Sequence, residues 1–158
     1  MENAIKAVYQ WQKDAGNLDM EYSDFLQSSF QVEEALEGFS DHQSLCNLLA
    51  RECDISNDSP KEMSRYIISL VMQREDLNEL TDVERFDKHV DSIIYNIGAL
   101  GQLNLSPQQI NAGILAVNHA NKQKLNAPRD EHGKLGKPTN FVDPHEALQQ
   151  ILNKRTNP

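Results

Sequence analysis

The sequence is poor in cysteine, in positive charge and in long apolar runs, and each shortage argues against a class of protein. The two cysteines, Cys46 and Cys53, are too few for a disulfide scaffold and lack the Cys-x-x-Cys spacing of a zinc or redox site. Lysine and arginine number 15 against 24 aspartates and glutamates, a net charge of −9. Because nucleic acid polymers bind through clustered cations, no such partner is expected.

Apolar runs are short as well. The longest, at residues 66–72 and 112–117, are each interrupted and fall well below the roughly 20 residues that cross a bilayer. The N-terminus also lacks the basic and then apolar layout of a secretory signal. We therefore expect a soluble cytoplasmic protein with no membrane partner.

Two metal-site motifs are missing from the chain. The absence of a Glu-x-x-His pair argues against a di-iron carboxylate bundle. The absence of a His-Asp dipeptide argues against an HD-type phosphohydrolase.

Strand patterns and internal repeats are absent too, and apolar residues recur instead at helical spacing. Ser59, Thr81 and Ser106 are capping residues that begin three of the predicted helices. The predicted helices cover residues 2–15, 21–38, 41–53, 59–71, 80–100, 106–125 and a short segment after 143, with a polar break at 54–58. The sequence predicts an all-α bundle formed by one domain over residues 1–158.

The helix predicted over residues 21–38 carries three closely spaced glutamates. Glu33, Glu34 and Glu37 fall within an arc of about 100° on one helix face. Leu26, Phe30, Glu33 and Glu37 follow one another at spacings of four, three and four, so two glutamates stand where an apolar stripe should continue. Semi-buried carboxylates are costly unless a cation or hydrogen bonds compensate them, and a divalent metal ion would do so. A solvated acidic face is the alternative.

The helix predicted over residues 80–100 also has acidic residues within an apolar stripe. Asp87, Asp91, Ile94 and Gly98 share one of its faces. Two such helices packed face to face would make a carboxylate cluster suited to Mg²⁺, which prefers octahedral oxygen ligands. The candidate metal ligands are Glu33, Glu34, Glu37, Asp87 and Asp91.

The last third of the chain adds polar and cationic groups. Asn121 and Lys124 finish the apolar stripe of the helix that begins at Ser106. Residues 126–144 then form a loop rich in glycine, proline and lysine, which includes Lys134 and Lys137. Such a loop could close over a polyphosphate; a solvated tail segment is the alternative.

The order of these motifs resembles the all-α nucleoside triphosphate pyrophosphohydrolases, a superfamily that includes MazG, the dimeric dUTPases and phosphoribosyl-ATP pyrophosphohydrolase. Residues 33–37 look like its Glu-Glu-x-x-Glu motif, and Asp91 resembles the aspartate of its second metal motif. The phosphoribosyl-ATP pyrophosphohydrolase-like branch is the closer match, on Asn-x-x-Lys-Leu at residues 121–125 and the lysine- and glycine-rich segment 132–141. The resemblance covers residues 20–39 and 84–152.

The resemblance implies an enzyme that uses Mg²⁺, with Mn²⁺ as a substitute, to hydrolyse a nucleoside triphosphate or related nucleotide to a monophosphate and pyrophosphate. The metal would position and acidify a water for attack at the α-phosphorus, and a carboxylate would accept its proton. The superfamily works as dimers or tetramers, so a homodimer or homotetramer is implied. The implied catalytic residues are Glu33, Glu34, Glu37 and Asp91.

The same resemblance assigns the substrate contacts. Asn121 would orient the nucleotide by hydrogen bonding. Lys124, Lys134 and Lys137 would offset the charge on the β- and γ-phosphates.

The sequence departs from the superfamily at several points. Lys88 stands three residues before Asp91, where the superfamily has glutamate, so Asp87 or Glu84 would supply that ligand. Residues 40–80 form a longer connection than a minimal member needs, and residues 136–137 reverse the usual Lys-Gly order. The alternative interpretation is a non-catalytic helical protein that binds a nucleotide or a metal ion and serves as a regulatory or interaction module.

Overall fold

The chain folds into two compact units in a computed structural model that describes residues 3–53, 59–73, 80–130 and 133–155. The first unit comprises residues Met1–Met20 and Leu80–Pro158, and the second comprises Glu21–Glu79. The polar break expected at residues 54–58 lies outside the described residues, as does His132 of the C-terminal loop. The predicted single domain over residues 1–158 stays a prediction.

Helices make up the regular structure of both units. In the described part of the chain, the β pairing consists of one isolated antiparallel bridge between Arg129 and Leu135. The predicted all-α class is therefore confirmed. The helices are α1 (Ala4–Asp14), α2 (Asp24–Glu37), α3 (His42–Cys53), α4 (Pro60–Met72), α5 (Asp82–Gln102), α6 (Pro107–Lys122) and α7 (His145–Leu152), with a 3₁₀ turn at Asn17–Asp19 after α1.

The predicted caps start α4, α5 and α6. The Ser59 hydroxyl accepts a hydrogen bond from the Glu62 N–H at 3.2 Å and so satisfies a free donor at the start of α4. At α5 and α6 the cap is reciprocal, since residue 81 pairs with residue 84 and residue 106 pairs with residue 109 through both side chains. Local chemistry thus fixes where these helices begin.

The unit of residues 21–79 is built by α2 packing along α4, with α3 in contact with both. Its core holds Leu36 of α2, Cys46 and Ala50 of α3, and Met63 of α4. Cys46 is fully buried and Cys53 is exposed, and neither of these two described residues forms a disulfide. Burial of a small apolar side chain is therefore the role of Cys46 here.

The other unit is organised on α6, against which α1 and α7 pack and which α5 contacts more sparsely. The Asn111 side chain accepts a hydrogen bond from the Ala4 N–H at 3.2 Å, and the Trp11 indole N–H donates to the Asn121 carbonyl at 3.1 Å. These bonds fix both ends of α1 on α6. None of the residues of α5 is buried in this chain.

None of the described helices combines the length and the apolar character that a membrane span requires.

The cap of α5 should make part of the stability of its unit depend on pH. The pKa of Glu84 is lowered because its carboxylate accepts a hydrogen bond from the Thr81 N–H and another from the Thr81 hydroxyl. A carboxyl group whose pKa is lowered by folding stabilises the folded state at pH values above its ordinary pKa of 4.5. This stabilisation is lost as the pH falls through the folded-state pKa. Thr81→Ala should therefore lower the free energy of unfolding more at pH 7 than at pH 3, measured by urea unfolding.

The cap of α6 provides a matched control for this experiment. Ser106 pairs with Gln109, whose side-chain amide does not titrate. The Ser106 N–H donates to the Gln109 amide oxygen at 2.9 Å. Ser106→Ala should cost about 1 kcal/mol at both pH values. An equal pH dependence for the two variants would show that Glu84 is not the source of the effect.

Candidate functional site

The glutamates of α2 occupy two different environments. The buried positions of the helix are Ser29, Glu33 and Leu36, spaced by four and three residues, and Glu33 is only 5% exposed. Glu34 and Glu37 are exposed. The expected burial of Glu33 is thus observed, whereas Glu37 lies outside the buried line because that line continues through Leu36.

The aspartates of α5 are both exposed. Asp87 and Asp91 lie on a helix that has no buried residue, and Ile94 on the same predicted face is 58% exposed. Water can solvate these carboxylates directly. Their positions alone therefore require no bound cation.

The acidic residues that the structure describes do not form a magnesium cage within either unit. Within each unit, the described residues include no group of three or more His, Cys, Asp or Glu side chains placed to hold a metal ion. Proteins commonly bind Mg²⁺ through one or two carboxylates together with water and substrate phosphates. A cage built wholly from the described side chains of one unit does not fit the arrangement.

Three of the four predicted substrate-binding residues come together at the C-terminal end of α6. Lys124 Nζ donates a hydrogen bond to Asn121 Oδ1 at 2.7 Å. Lys124 Nζ also lies 5.4 Å from the centroid of the Phe141 ring, and Lys137 Nζ lies 5.1 Å from the same centroid. Both distances are within the range of cation–π attraction, about 6 Å. We refer to Asn121, Lys124, Lys137 and Phe141 as the Phe141 cluster.

The fourth residue, Lys134, belongs to a folded turn that precedes the cluster. Its carbonyl accepts a hydrogen bond from the Asp130 N–H at 2.9 Å, and its own N–H donates to the Asp130 carboxylate at 2.9 Å. The Gly136 N–H donates to the Pro128 carbonyl at 3.0 Å. These bonds give residues 128–130 and 133–136 a local structure of their own, unlike the solvated tail considered above.

Two further contacts attach this turn to the N-terminal segment of the same unit. The Arg129 guanidinium donates to the carbonyl of Ala15 at the end of α1 and to Asn17 Oδ1. Gly133 has a φ of +81°, and a Cβ there would lie 2.8 Å from Met20 Cε, so a larger residue is strained and crowded. Arg129 therefore has a structural role, which the sequence pattern did not indicate.

Gln123 joins α6 to the segment that carries Phe141. Its Nε2 donates to the Val142 carbonyl at 3.0 Å, and its Oε1 accepts from the Val142 N–H at 2.8 Å. This pair of bonds fixes the backbone one residue beyond Phe141, and so places its ring near Lys124. Gln123 was assigned no role from the sequence because Val142 lies 19 residues away. Phe141 was assigned none either, although Lys137 lies only four residues before it.

A depression of about 620 Å³ lies beside Val142 of the same segment. It is lined by His119 and Gln123 of α6 and by Asp143 and Glu146 near the start of α7. The two carboxylates would repel phosphate groups, so the depression is a poor polyphosphate site. The Phe141 cluster, with its two ammonium groups, is the better candidate.

No protein-family model matches the chain, no curated protein matches it, and no solved structure matches it. The likeness to the pyrophosphohydrolases therefore rests on the motifs of the sequence alone.

The two hydrogen bonds between Gln123 and Val142 should restrict the motion of the segment that carries Phe141. Gln123→Ala removes two hydrogen bonds, each with a net contribution of about 0.5–1.5 kcal/mol, and should speed amide hydrogen exchange at Val142 by about tenfold. Exchange measured by NMR on the labelled protein would test this. Gln149→Ala on α7 is the control. It removes an exposed hydrogen bond from the Gln149 side chain to the Asn153 side chain, and it should leave amide exchange at Val142 unchanged. Unchanged exchange in Gln123→Ala would mean that other contacts hold the segment.

Proposed function

We propose that the protein is a Mg²⁺-dependent nucleotide pyrophosphohydrolase, which converts a nucleoside triphosphate or related nucleotide to a monophosphate and pyrophosphate. The supporting observation is the Phe141 cluster. Asn121 and Lys124 come from one motif of the sequence and Lys137 from another. Lys124 bonds to Asn121, and the two lysines share one aromatic ring. The two ammonium groups suit the anionic part of a ligand, and the Asn121 amide suits a hydrogen-bonding group on the same ligand.

The chemistry of the cluster assigns its parts. An ammonium group can only donate, so the Asn121 atom that faces Lys124 is the amide oxygen, and the amide nitrogen is turned away from it. That nitrogen would donate to a ribose or phosphate oxygen. Lys124 and Lys137 would offset the charge on the β- and γ-phosphates, and thereby favour departure of pyrophosphate.

The acidic residues supply the other half of the proposed reaction. Glu33, Glu34, Glu37, Asp87 and Asp91 are the proposed carboxylates, and Mg²⁺, when bound, would neutralise phosphate charge and acidify water. Because the described residues of each unit include no three-residue set, we assign no geometry to the metal. Water oxygen would bond to the α-phosphorus, the bond from that phosphorus to the pyrophosphate oxygen would break, and an exposed carboxylate such as Glu34 would accept the proton.

Assembly as a homodimer or homotetramer, and a cytoplasmic location, belong to the same proposal. Support for assembly comes from α5, where the apolar side chains of Val83, Phe86 and Ile94 share one helix face and are more than half exposed in the single chain. Contiguous exposed apolar surface commonly marks a protein interface.

The first test is product analysis with Mg²⁺ and a panel of ribo- and deoxyribonucleoside triphosphates. We expect monophosphate and pyrophosphate in equal amounts. Glu34→Gln or Asp91→Asn should lower kcat by about 100-fold or more if these carboxylates act on the reacting water, with the helical circular dichroism unchanged. Activity near wild type in both variants would overturn the assigned roles.

A charge-matched pair of lysine variants tests the cluster separately. Lys137→Ala should raise KM by about tenfold, since a lost charge-assisted contact is worth about 1.5–3 kcal/mol. Lys154→Ala removes the same charge from an exposed position after α7 and should leave KM unchanged. Equal effects of the two variants would reduce the role of Lys137 to general attraction of anions.

A non-catalytic nucleotide-binding protein is the second candidate. The observation in its favour is that the described carboxylates of either unit do not form a three-ligand group. Saturable nucleotide binding that Lys137→Ala weakens, without turnover of any nucleotide, would support this alternative.

A further inference from the structure

A largely apolar cavity of about 520 Å³ lies within the first unit, among α1, α6, α7 and the end of α5. Its volume falls in the range of about 300–1,000 Å³ that is usual for pockets binding small molecules. It is distinct from the depression beside Val142. Its apolar lining includes Trp11, Leu103, Ile114, Val117, Leu148 and Ile151.

A buried amide interrupts this apolar lining. Asn118 lines the cavity and is only 3% exposed, and its Oδ1 has no hydrogen-bond partner in the described part of the chain. An unsatisfied buried acceptor destabilises a fold, whereas an apolar side chain of similar size would avoid that cost. A ligand that donates to Asn118 Oδ1 would remove the cost.

The other side-chain amides around the cavity already have bonds within the protein. Gln12 Oε1 accepts from Asn17, Gln109 Oε1 accepts from the Ser106 N–H, and Asn121 Oδ1 accepts from Lys124. The Trp11 N–H is also used, since it donates to the Asn121 carbonyl. Among the described lining residues, Asn118 thus offers the unsatisfied acceptor, and a fitting ligand needs a donor.

The lack of charged residues among those described around the cavity determines whether the ligand can carry a charge. None of the described residues that line the cavity is charged. A phosphate or carboxylate placed there would lose its water without a compensating cation, which is strongly unfavourable. The nucleotide phosphates of the proposed reaction therefore do not belong in this cavity.

We propose that the cavity is a binding site for a neutral, mainly apolar small molecule that carries an N–H or O–H group, which donates to Asn118 Oδ1. The apolar part of the ligand would pack against Trp11, Ile114 and Ile151. The site lies beside the Phe141 cluster but uses different chemistry, and it does not depend on the proposed catalytic activity.

Indole and indene are matched probes for this site, because they have nearly the same shape and indole alone carries an N–H. Trp11 is the single tryptophan of the chain, so its indole N–H gives one assignable signal in the ¹⁵N-labelled full-length protein. Indole should shift that signal saturably and bind at least about fivefold more tightly than indene, the ratio expected for one hydrogen bond. No saturable shift with indole, or equal affinities for the two probes, would overturn the proposal.

Asn118→Leu removes the acceptor and keeps a side chain of similar size. The variant should lose the preference, so that indene binds at least as tightly as indole. An unchanged preference for indole would mean that another group accepts the bond, and the proposed role of Asn118 would be wrong.

Gly113 provides a second pair of variants, which does not depend on the folding of Asn118→Leu. A Cβ at Gly113 would meet Leu148 Cδ2 at 3.7 Å, an ordinary contact, so Gly113→Ala should keep the site. Gly113→Leu extends a larger side chain from the same wall of the cavity and should weaken indole binding by about tenfold or more. Equal binding by the two variants would place indole elsewhere.

A second copy of the chain is the competing occupant. In that case the Trp11 signal of the ligand-free protein would move with protein concentration, and indole would bind more weakly as the concentration rises. This result would overturn the small-molecule assignment. A signal independent of concentration, together with the preference for indole, supports it.

Discussion

The placement of the Phe141 cluster depends on the pair of hydrogen bonds between the Gln123 side chain and the backbone of Val142. Lys124 is carried by the turn after α6, whereas Phe141 and Lys137 belong to the segment that follows the hydrogen-bonded residues 133–136. A side-chain amide can both donate to and accept from one backbone unit, which fixes position as well as distance. Two ammonium groups from separate segments consequently face one ring.

Exposure separates the proposed carboxylates into two groups. Glu34, Glu37, Asp87 and Asp91 are exposed, so solvation alone accounts for their charges. Glu33 is 5% exposed, and a buried carboxylate requires compensation from its surroundings. Burial therefore distinguishes Glu33 from the exposed acids. The metal hypothesis rests on the sequence motifs of all five residues alone.

Sequence reasoning succeeded where the controlling interaction is local. Ser59, Thr81 and Ser106 cap helices through residues three positions away, a distance at which sequence spacing determines geometry. It could place Asn121 next to Lys124 for the same reason. It could not find the bonds from Gln123 to Val142 or from Arg129 to Ala15, whose partners are separated by 19 and 114 residues. Nor could it show that the buried line of α2 runs through Leu36, since a helical face allows several registers.

The two ligand sites proposed for the first unit are separable because they require opposite environments. A polyphosphate needs cations and access to water, which Lys124 and Lys137 supply at the end of α6. A neutral apolar ligand gains most where no charge must be desolvated, and the cavity meets that condition through its uncharged lining. Asn121 touches both, since its side chain meets Lys124 while its carbonyl holds Trp11. One residue can take part in both because its amide side chain and its backbone carbonyl are independent groups.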